Sequence, residues 1–273
     1  MASTQTAEIR AEPAGRGPDA GADLPIVQIW LKAAGSPFRY ITRLAKFGSI
    51  PLALALGIEA LRRLLQTVGW LGQLPLYPLL LAMAVVYVPF DVAWTRLIIN
   101  GTPAIAVRGY FPFRRAEARY LLAAMLLRLS WLIILVPAAI MAFARRGFDH
   151  HLVLEGGVLF LVTCVALTIG IVRSLYVLPA LAIGKYEGLR KEWRQSRGQF
   201  ERLIALVALA RLPYLLALDL LDRLAMPYSV VAWKATIAGV QSIVYLFGQA
   251  TAVAAIALAY DHTVKLRTST GGS

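Results

Sequence analysis

The sequence predicts an all-α fold, a polytopic transmembrane bundle of about six helices. Hydrophobic residues make up 59% of the 273 positions and charged residues 16%, with a mean hydropathy of +0.65. Soluble domains contain about 45–50% apolar residues and about 25% charged residues. Residues 64–90 and 235–260 contain no charged side chain, and a bilayer core needs about 20 apolar helical residues. These runs lack the period-two alternation of a membrane barrel, so helices are the structure that satisfies the backbone in hydrocarbon.

The predicted spans are apolar runs that follow one another along the chain. The first is interrupted by Glu59, Arg62 and Arg63, whereas the third, fourth and fifth carry one arginine each in their apolar cores. The spans lie near residues 46–66, 75–98, 119–143, 157–182, 203–222 and 234–260. Together they define a transmembrane domain over residues 24–267.

The two ends of the chain are predicted to be disordered tails, at residues 1–23 and 268–273. The first of these is polar and rich in Ala, Gly and Pro. It also lacks the basic and then apolar regions of a cleaved signal peptide. Insertion into the membrane is therefore expected to depend on the internal spans.

The distribution of lysine and arginine predicts the orientation of the bundle. Four precede the first span, five lie between the second and third, six between the fourth and fifth, and two follow the sixth, whereas six lie on the other side. Because cytoplasmic loops carry the excess of positive charge, both termini are predicted to be cytoplasmic. This asymmetry accounts for most of the net charge of +13. Since no helix-turn-helix or zinc-finger spacing is present, nucleic-acid binding is not predicted.

The middle of the chain resembles itself after a shift of 83 residues, which aligns Gly101 with Gly184 and Arg128 with Arg211. This register predicts a parallel repeat of a helix hairpin, in which spans four and five copy spans two and three. Transporters more commonly have inverted repeats. The alternative is a chance similarity between two segments that are both rich in Leu and Arg.

The two basic connectors of this repeat have the composition of segments that lie at a membrane surface. Aromatic residues such as Phe113 and Trp193 lie among arginines. An amphipathic helix of this kind lies in the headgroup plane, where each basic residue contributes about 1 kcal/mol of attraction to anionic lipid. The arginines predicted to contact an anionic lipid or a phosphate are Arg114, Arg115, Arg190, Arg194 and Arg197. The alternative is that these residues set the topology and bind nothing.

Ionisable residues inside the predicted spans form a second candidate site, in the cytoplasmic half of the bilayer. They are Asp91, Arg128, Arg173 and Arg211. An ionisable side chain in hydrocarbon costs at least about 2.5–3.5 kcal/mol on insertion scales, so each of them needs a partner or a wet cavity. One carboxylate and three guanidinium groups at one level predict a basic pocket that opens inward and holds an anion. The alternative is structural pairing, or that each arginine reaches the headgroups on its own.

The last span carries residues that favour close helix packing. Its small-residue face consists of Gly248, Ala252, Ala255 and Ala259. Such a face predicts tight packing within the chain, with a homodimer interface as the alternative. Gln241 and Gln249 are predicted to form hydrogen bonds across helices, and Asp219 is predicted to pair with Arg223 four residues on.

No motif in the chain predicts catalysis. The sequence contains no P-loop, no dinucleotide fingerprint, no HExxH and no GxSxG. His150 and His151 lie in a short outer loop, where adjacent histidines are more often solvated than ligands of a metal. Cys164, the one cysteine, lies in an apolar run. We therefore predict that the protein is not an enzyme and has no metal site and no cofactor.

Several short motifs resemble those of a group of bacterial membrane proteins. The segment LPALAIGKYEGLRKEWRQSRGQFERLI runs from Pro179, at the end of a span, past Trp193 to the pair Arg197 and Gly198. AWTRLIING, FPFRRAEARYL and ALAYDHTVKLR occur elsewhere in the chain. At Glu192 the chain departs from the usual pattern, in which a serine precedes the tryptophan.

These motifs make the chain similar to uncharacterised six-span integral membrane proteins of alphaproteobacterial type, and to the membrane domain fused to some glycerophosphodiester phosphodiesterases. The resemblance covers most of residues 30–267. It implies the six-span fold and a bacterial inner membrane, and it implies no reaction.

The sequence thus predicts a non-enzymatic, multi-pass inner-membrane protein that binds lipid or serves as a scaffold or regulatory subunit. Its expected partners are the lipid bilayer, above all anionic phospholipid, and another membrane protein. The alternative function is a carrier or channel for a small anionic solute. A polar cavity that reaches the midplane past Asp91 and Arg173 would favour the carrier, whereas a solid core there would favour the scaffold.

Overall fold

The computed structural model describes residues 24–67, 76–101, 115–129, 150–196, 199–225 and 231–270. All regular secondary structure in these residues is α-helical, as predicted. The helices are α1 (Ile26–Arg39), α2 (Ile41–Thr67), α3 (Leu76–Asn100), α4 (Arg115–Leu129), α5 (His150–Ser174), α6 (Val177–Ala182), α7 (Leu189–Gln195), α8 (Phe200–Ala225) and α9 (Val231–Thr270). The predicted tail 1–23 lies outside the described residues, as do residues 271–273.

Four stretches of helix in the described residues are long and apolar enough to cross a membrane. They are Ile41–Ile58, Gly157–Ala182, Phe200–Ala225 and Ala235–Leu266. These stretches overlap the first, fourth, fifth and sixth predicted spans. Their outward faces carry exposed apolar side chains, among them Leu161 at 63% and Leu216 at 61%. Such faces suit a lipid environment, and soluble monomers rarely expose large contiguous apolar patches.

The second and third predicted spans, near residues 75–98 and 119–143, are only partly described. Helices α3 and α4 cover the described part of each. Residues 130–143 and the side chains of residues 76–84 lie outside it. A total of six spans and the hairpin repeat therefore stay predictions.

Helix α9 lies at the centre of the bundle, and α8, α1, α3 and α2 pack around it. Its inward face is built from small residues, since Ala252, Ala255 and Ala259 are at most 2% exposed. At Gly248 the backbone approaches α8 so closely that a Cβ atom would lie 3.0 Å from the Cβ of Tyr214. The predicted small-residue face thus packs within the chain, because small residues let two helix backbones approach each other.

The contacts of α9 set the direction of its neighbours. Tyr176, just after α5, hydrogen-bonds Thr263 near the end of α9, and Trp94 in α3 donates to the carbonyl oxygen of Ala250. Helices α3, α5 and α9 therefore end on one side of the bundle, where α2, α4 and α8 begin. We call this side the basic end, because Arg115, Arg190 and most of the other described lysines and arginines lie there.

Two glycines terminate helices at the basic end. Gly101 follows α3 with a φ of 69°, and its N–H donates to the carbonyl oxygen of Leu97. Gly184 follows α6 with a φ of 74°, and the next N–H, of Lys185, donates to Ala180. A positive φ is strained for residues with a Cβ, so both positions require glycine. These are the two glycines that the shift of 83 residues aligns.

Helix α1 was not predicted from the sequence. It packs against α8 and α9, and the indole N–H of Trp30 donates to the carbonyl oxygen of Leu209 at 3.0 Å. Its buried residues Ile29, Ala33 and Ser36 recur at three- and four-residue spacing, whereas Leu31 and Phe38 are exposed. The helix is too short to cross a bilayer, so a search for apolar runs of about 20 residues does not detect it.

Candidate functional site

Three helices meet at a chain of polar side chains inside the bundle. The Gln249 amide on α9 donates to both carboxylate oxygens of Asp91 on α3, at 2.9 and 3.1 Å. Its carbonyl oxygen accepts a hydrogen bond from the guanidinium of Arg211 on α8 at 3.3 Å. Asp91 and Gln249 are buried, with 5% and 6% of their surface exposed, whereas Arg211 is exposed. The structure thus links Asp91 to Arg211 through a neutral amide.

A cavity of about 190 Å³ lies beside this chain. Its polar lining residues are Asp91, Thr95, Tyr120, Arg211 and Gln249. Its apolar lining comes from α4, α6, α9 and the end of α5, and includes Leu127, Ile171, Leu178, Ala252 and Val253. The cavity therefore has a charged side toward α3 and α8 and an apolar side toward α4 and α6.

The packing around Ala250 and Thr251 places these groups at one level. The indole N–H of Trp94, which is fully buried, donates to Ala250 at 2.9 Å. The hydroxyls of Tyr214 and Thr251 share a hydrogen bond of 2.8 Å. These two contacts fix α3 and α8 against α9 within one turn of Gln249, and so determine which side chains face the cavity.

Aromatic side chains close the bundle one turn farther from the basic end. Tyr87 and Tyr245, each four residues before Asp91 and Gln249, pack edge to face with ring centroids 5.4 Å apart. Tyr87 is 1% exposed. Between α3 and α9, the polar region therefore ends at this aromatic pair.

The structure does not place the other predicted intramembrane residues in this lining. Arg173 is partly buried, its Nε has no hydrogen-bond partner, and it is not among the described residues that line the cavity. Arg128 lies on α4, and its side chain is outside the described part of the chain. The predicted hydrogen bonds across helices are confirmed, since Gln241 also donates to Asp222 at 2.6 Å.

A second region lies at the surface of the basic end. Helix α7 exposes Leu189 at 49% and Trp193 at 39%, together with Arg190 and Arg194. Its opposite face carries Glu192, which is 1% exposed. The helix thus presents apolar and basic side chains side by side, as an interfacial helix does.

The remaining predicted lipid contacts differ in what the structure describes. Arg115, the first residue of α4, is exposed at the same end. Arg114 and Arg197 lie outside the described residues. The basic connector that contains Trp193 does not form one amphipathic helix, because α7 ends at Gln195 and α8 begins at Phe200.

Helix α7 is anchored to α5, on which it packs. The indole N–H of Trp193 donates to the Ser174 hydroxyl at 3.1 Å. Among the described residues, Glu192 Oε2 has no hydrogen-bond partner. Burial raises the pKa of Glu192 from 4.5 to about 7, with the positive charge of Lys191 opposing the shift and the negative charge of Glu187 adding to it.

Two further polar contacts hold the basic end together and were not predicted. The Tyr176 hydroxyl donates to the Gln199 side-chain oxygen at 2.9 Å, and the Thr263 hydroxyl lies 3.1 Å from both of these oxygens. Arg96 forms an ion pair of 2.8 Å with Glu117 and also donates to the carbonyl oxygen of Ala182. The sequence contains no signal for them, because each joins residues far apart in the chain.

Within the described residues there is no group of three or more His, Cys, Asp or Glu side chains that could hold a metal ion. Comparison of the chain with models of protein families, with curated proteins and with solved structures found no match. The candidate function therefore depends on the geometry of the cavity and of the basic end.

Proposed function

We propose that the protein is a non-enzymatic, multi-pass membrane protein that binds anionic phospholipid at its basic end and serves there as a scaffold or regulatory subunit. The observation that supports this is the outward face of α7, where Leu189 and Trp193 lie beside Arg190 and Arg194. Apolar side chains of such a helix enter the acyl boundary, and its arginines remain at the level of the phosphates.

Binding is favoured over transport. A carrier for a small anion needs a polar path across the bilayer, and the cavity beside Asp91 is followed by the packed pair Tyr87 and Tyr245. Phe90 and Trp94 on α3 are fully buried and stacked, with ring centroids 5.7 Å apart. This solid aromatic region supports a scaffold.

Replacing Arg190 and Arg194 together with glutamine is expected to weaken binding of phosphatidylglycerol about 30-fold at low ionic strength, because each basic residue near the surface contributes about 1 kcal/mol. Native mass spectrometry of the detergent-purified protein with added lipid measures this. The matched control is the double lysine variant, which keeps both charges and should retain binding. Equal binding by the glutamine variant, or equally tight binding of phosphatidylcholine, would contradict the proposal.

We also propose that six spans cross a bacterial inner membrane with both termini in the cytoplasm. A periplasm-dependent phosphatase fused after residue 150 is then expected to be active, because that residue begins α5 away from the basic end. The matched fusion after residue 186, between α6 and α7, should be inactive. The reverse pattern of activity would refute the orientation.

A further inference from the structure

We infer that the cavity between α3, α4, α8 and α9 is a binding site for an oxyanion joined to a short apolar group, and that Arg211 contacts the oxyanion. This inference concerns a site inside the bundle and does not depend on lipid binding by α7. It starts from the charge of Arg211. The size and lining of the cavity then define the ligand.

Arg211 is a cation without a matching anion among the described residues. It lies within the candidate span Phe200–Ala225, where Leu209 and Leu212 are exposed. The structure gives it one hydrogen bond, to the neutral Gln249 amide at 3.3 Å, and no ion pair with a described residue. A guanidinium group has five N–H donors, so this contact leaves most of them available.

The direction of the Arg211 side chain argues against simple extension toward the headgroups. Eleven residues of α8 separate it from Phe200 at the basic end, a distance of roughly 16 Å along a helix axis. Its guanidinium is instead held sideways, against Gln249 on α9. The group is therefore directed at the cavity, which both residues line.

Gln249 keeps the two charges of the site apart. The side-chain NH₂ of Gln249 donates to both carboxylate oxygens of Asp91, and its side-chain oxygen accepts a hydrogen bond from Arg211. Asp91 and Arg211 each bond to Gln249 and form no ion pair with each other, so the guanidinium can pair with a ligand. Charge-assisted hydrogen bonds of Arg to phosphate or carboxylate are among the strongest that proteins form.

The rest of the cavity defines the ligand class. A volume of about 190 Å³ is the share of about six water molecules in the liquid. That is enough for one phosphate or carboxylate group with a few carbon atoms. Leu127, Leu178 and Val253 are among the apolar residues that line the cavity, and they suit the apolar part of the ligand. The oxyanion comes either from a lipid headgroup or from a small free acid.

Titration calorimetry of the detergent-purified protein with butyl phosphate tests this inference. We expect binding to the unchanged protein, at least tenfold weaker binding to Arg211→Gln, and binding within twofold of the unchanged protein for Arg223→Gln. Arg223 is the matched control, because it lies on the same helix, away from the cavity, and pairs with Asp219 at 2.9 Å. Butanol, which lacks the anion, should not bind.

A second variant tests the cavity without removing a charge. Ala252→Leu places three more carbon atoms at the cavity wall and should also abolish binding, while gel filtration shows that each variant stays monodisperse. Equal affinity of Arg211→Gln and unchanged protein, or equal affinity for butanol, would overturn the inference. If phosphatidate competes with butyl phosphate, the natural oxyanion is a lipid headgroup. If butyl phosphate binds and phosphatidate does not compete, it is a free acid.

The variants of α7 separate this inference from the proposed function. Arg190→Gln/Arg194→Gln should leave the affinity for butyl phosphate unchanged. If this variant loses lipid binding and keeps butyl phosphate binding, the two sites are separate. If it loses butyl phosphate binding, butyl phosphate binds at α7 and the inference about the cavity fails.

Discussion

Replacing Trp94 with alanine is expected to lower the free energy of unfolding by about 3–5 kcal/mol. Trp94 is fully buried, stacks on Phe90 and meets Tyr40 edge to face at 6.4 Å. Its indole N–H also donates to Ala250 in the central helix. The alanine variant loses the packing volume that joins α3, α9 and Tyr40, the residue before α2, as well as this hydrogen bond. Thermal unfolding in detergent micelles, followed by circular dichroism, measures the loss.

Two controls identify the cause. Trp94→Phe keeps most of the ring packing and loses the indole N–H, so it should cost about 1–2 kcal/mol. Trp233→Ala removes a tryptophan that is 41% exposed at the other end of the bundle, and its effect should be smaller than that of Trp94→Ala. A melting curve for Trp94→Ala that matches the unchanged protein would show that this contact does not stabilise the bundle.

The sequence predicted the long helices of the fold, and it did not predict contacts such as that of Trp94. Hydropathy alone placed residues 157–182, 203–222 and 234–260 in long apolar helices, because the bilayer imposes one length on each. Small residues in the last span predicted its close packing, and the structure places α9 at the centre. That Trp94 reaches Ala250, 156 positions later in the chain, depends on tertiary packing and has no local signal.

The residues of the candidate site were likewise predictable only in part. Asp91 and Arg211 were noticeable in the sequence because charge is rare in an apolar run, and Gln249 was predicted to hydrogen-bond across helices. The order in which the three meet was not predictable, since α3 and α8 are separated by a hundred residues. Thr95 and Tyr120 line the same cavity, and neither differs from an ordinary core residue in the sequence.

Glu192 shows how a local pattern can mislead. In the sequence it is one of several charges on a basic connector, and a charged residue in such a segment is expected to face solvent. In the structure the Glu192 side chain is buried, and Leu189 and Trp193 are exposed. The arrangement places the apolar side chains where the membrane would lie and leaves a carboxyl group in the protein interior.

This burial predicts a dependence of stability on pH with a definite sign. The pKa of Glu192 rises from 4.5 to about 7 in the folded protein. Below about pH 4.5 the carboxyl is protonated in both states and contributes nothing. As the pH rises from there toward 7, the unfolded chain releases its proton first, so the folded state loses stability. Above pH 7 the folded state contains a buried carboxylate, and the loss is complete.

Replacing Glu192 with glutamine is therefore expected to stabilise the protein at pH 8 by on the order of 1–3 kcal/mol and to have little effect near pH 4.5. The melting temperatures of both proteins, measured from pH 4.5 to 8, give the difference, in which the other titrating groups cancel. Glu201→Gln is the matched control, because Glu201 is exposed at the start of α8. If the difference for Glu192→Gln is the same at every pH, Glu192 does not titrate inside the protein.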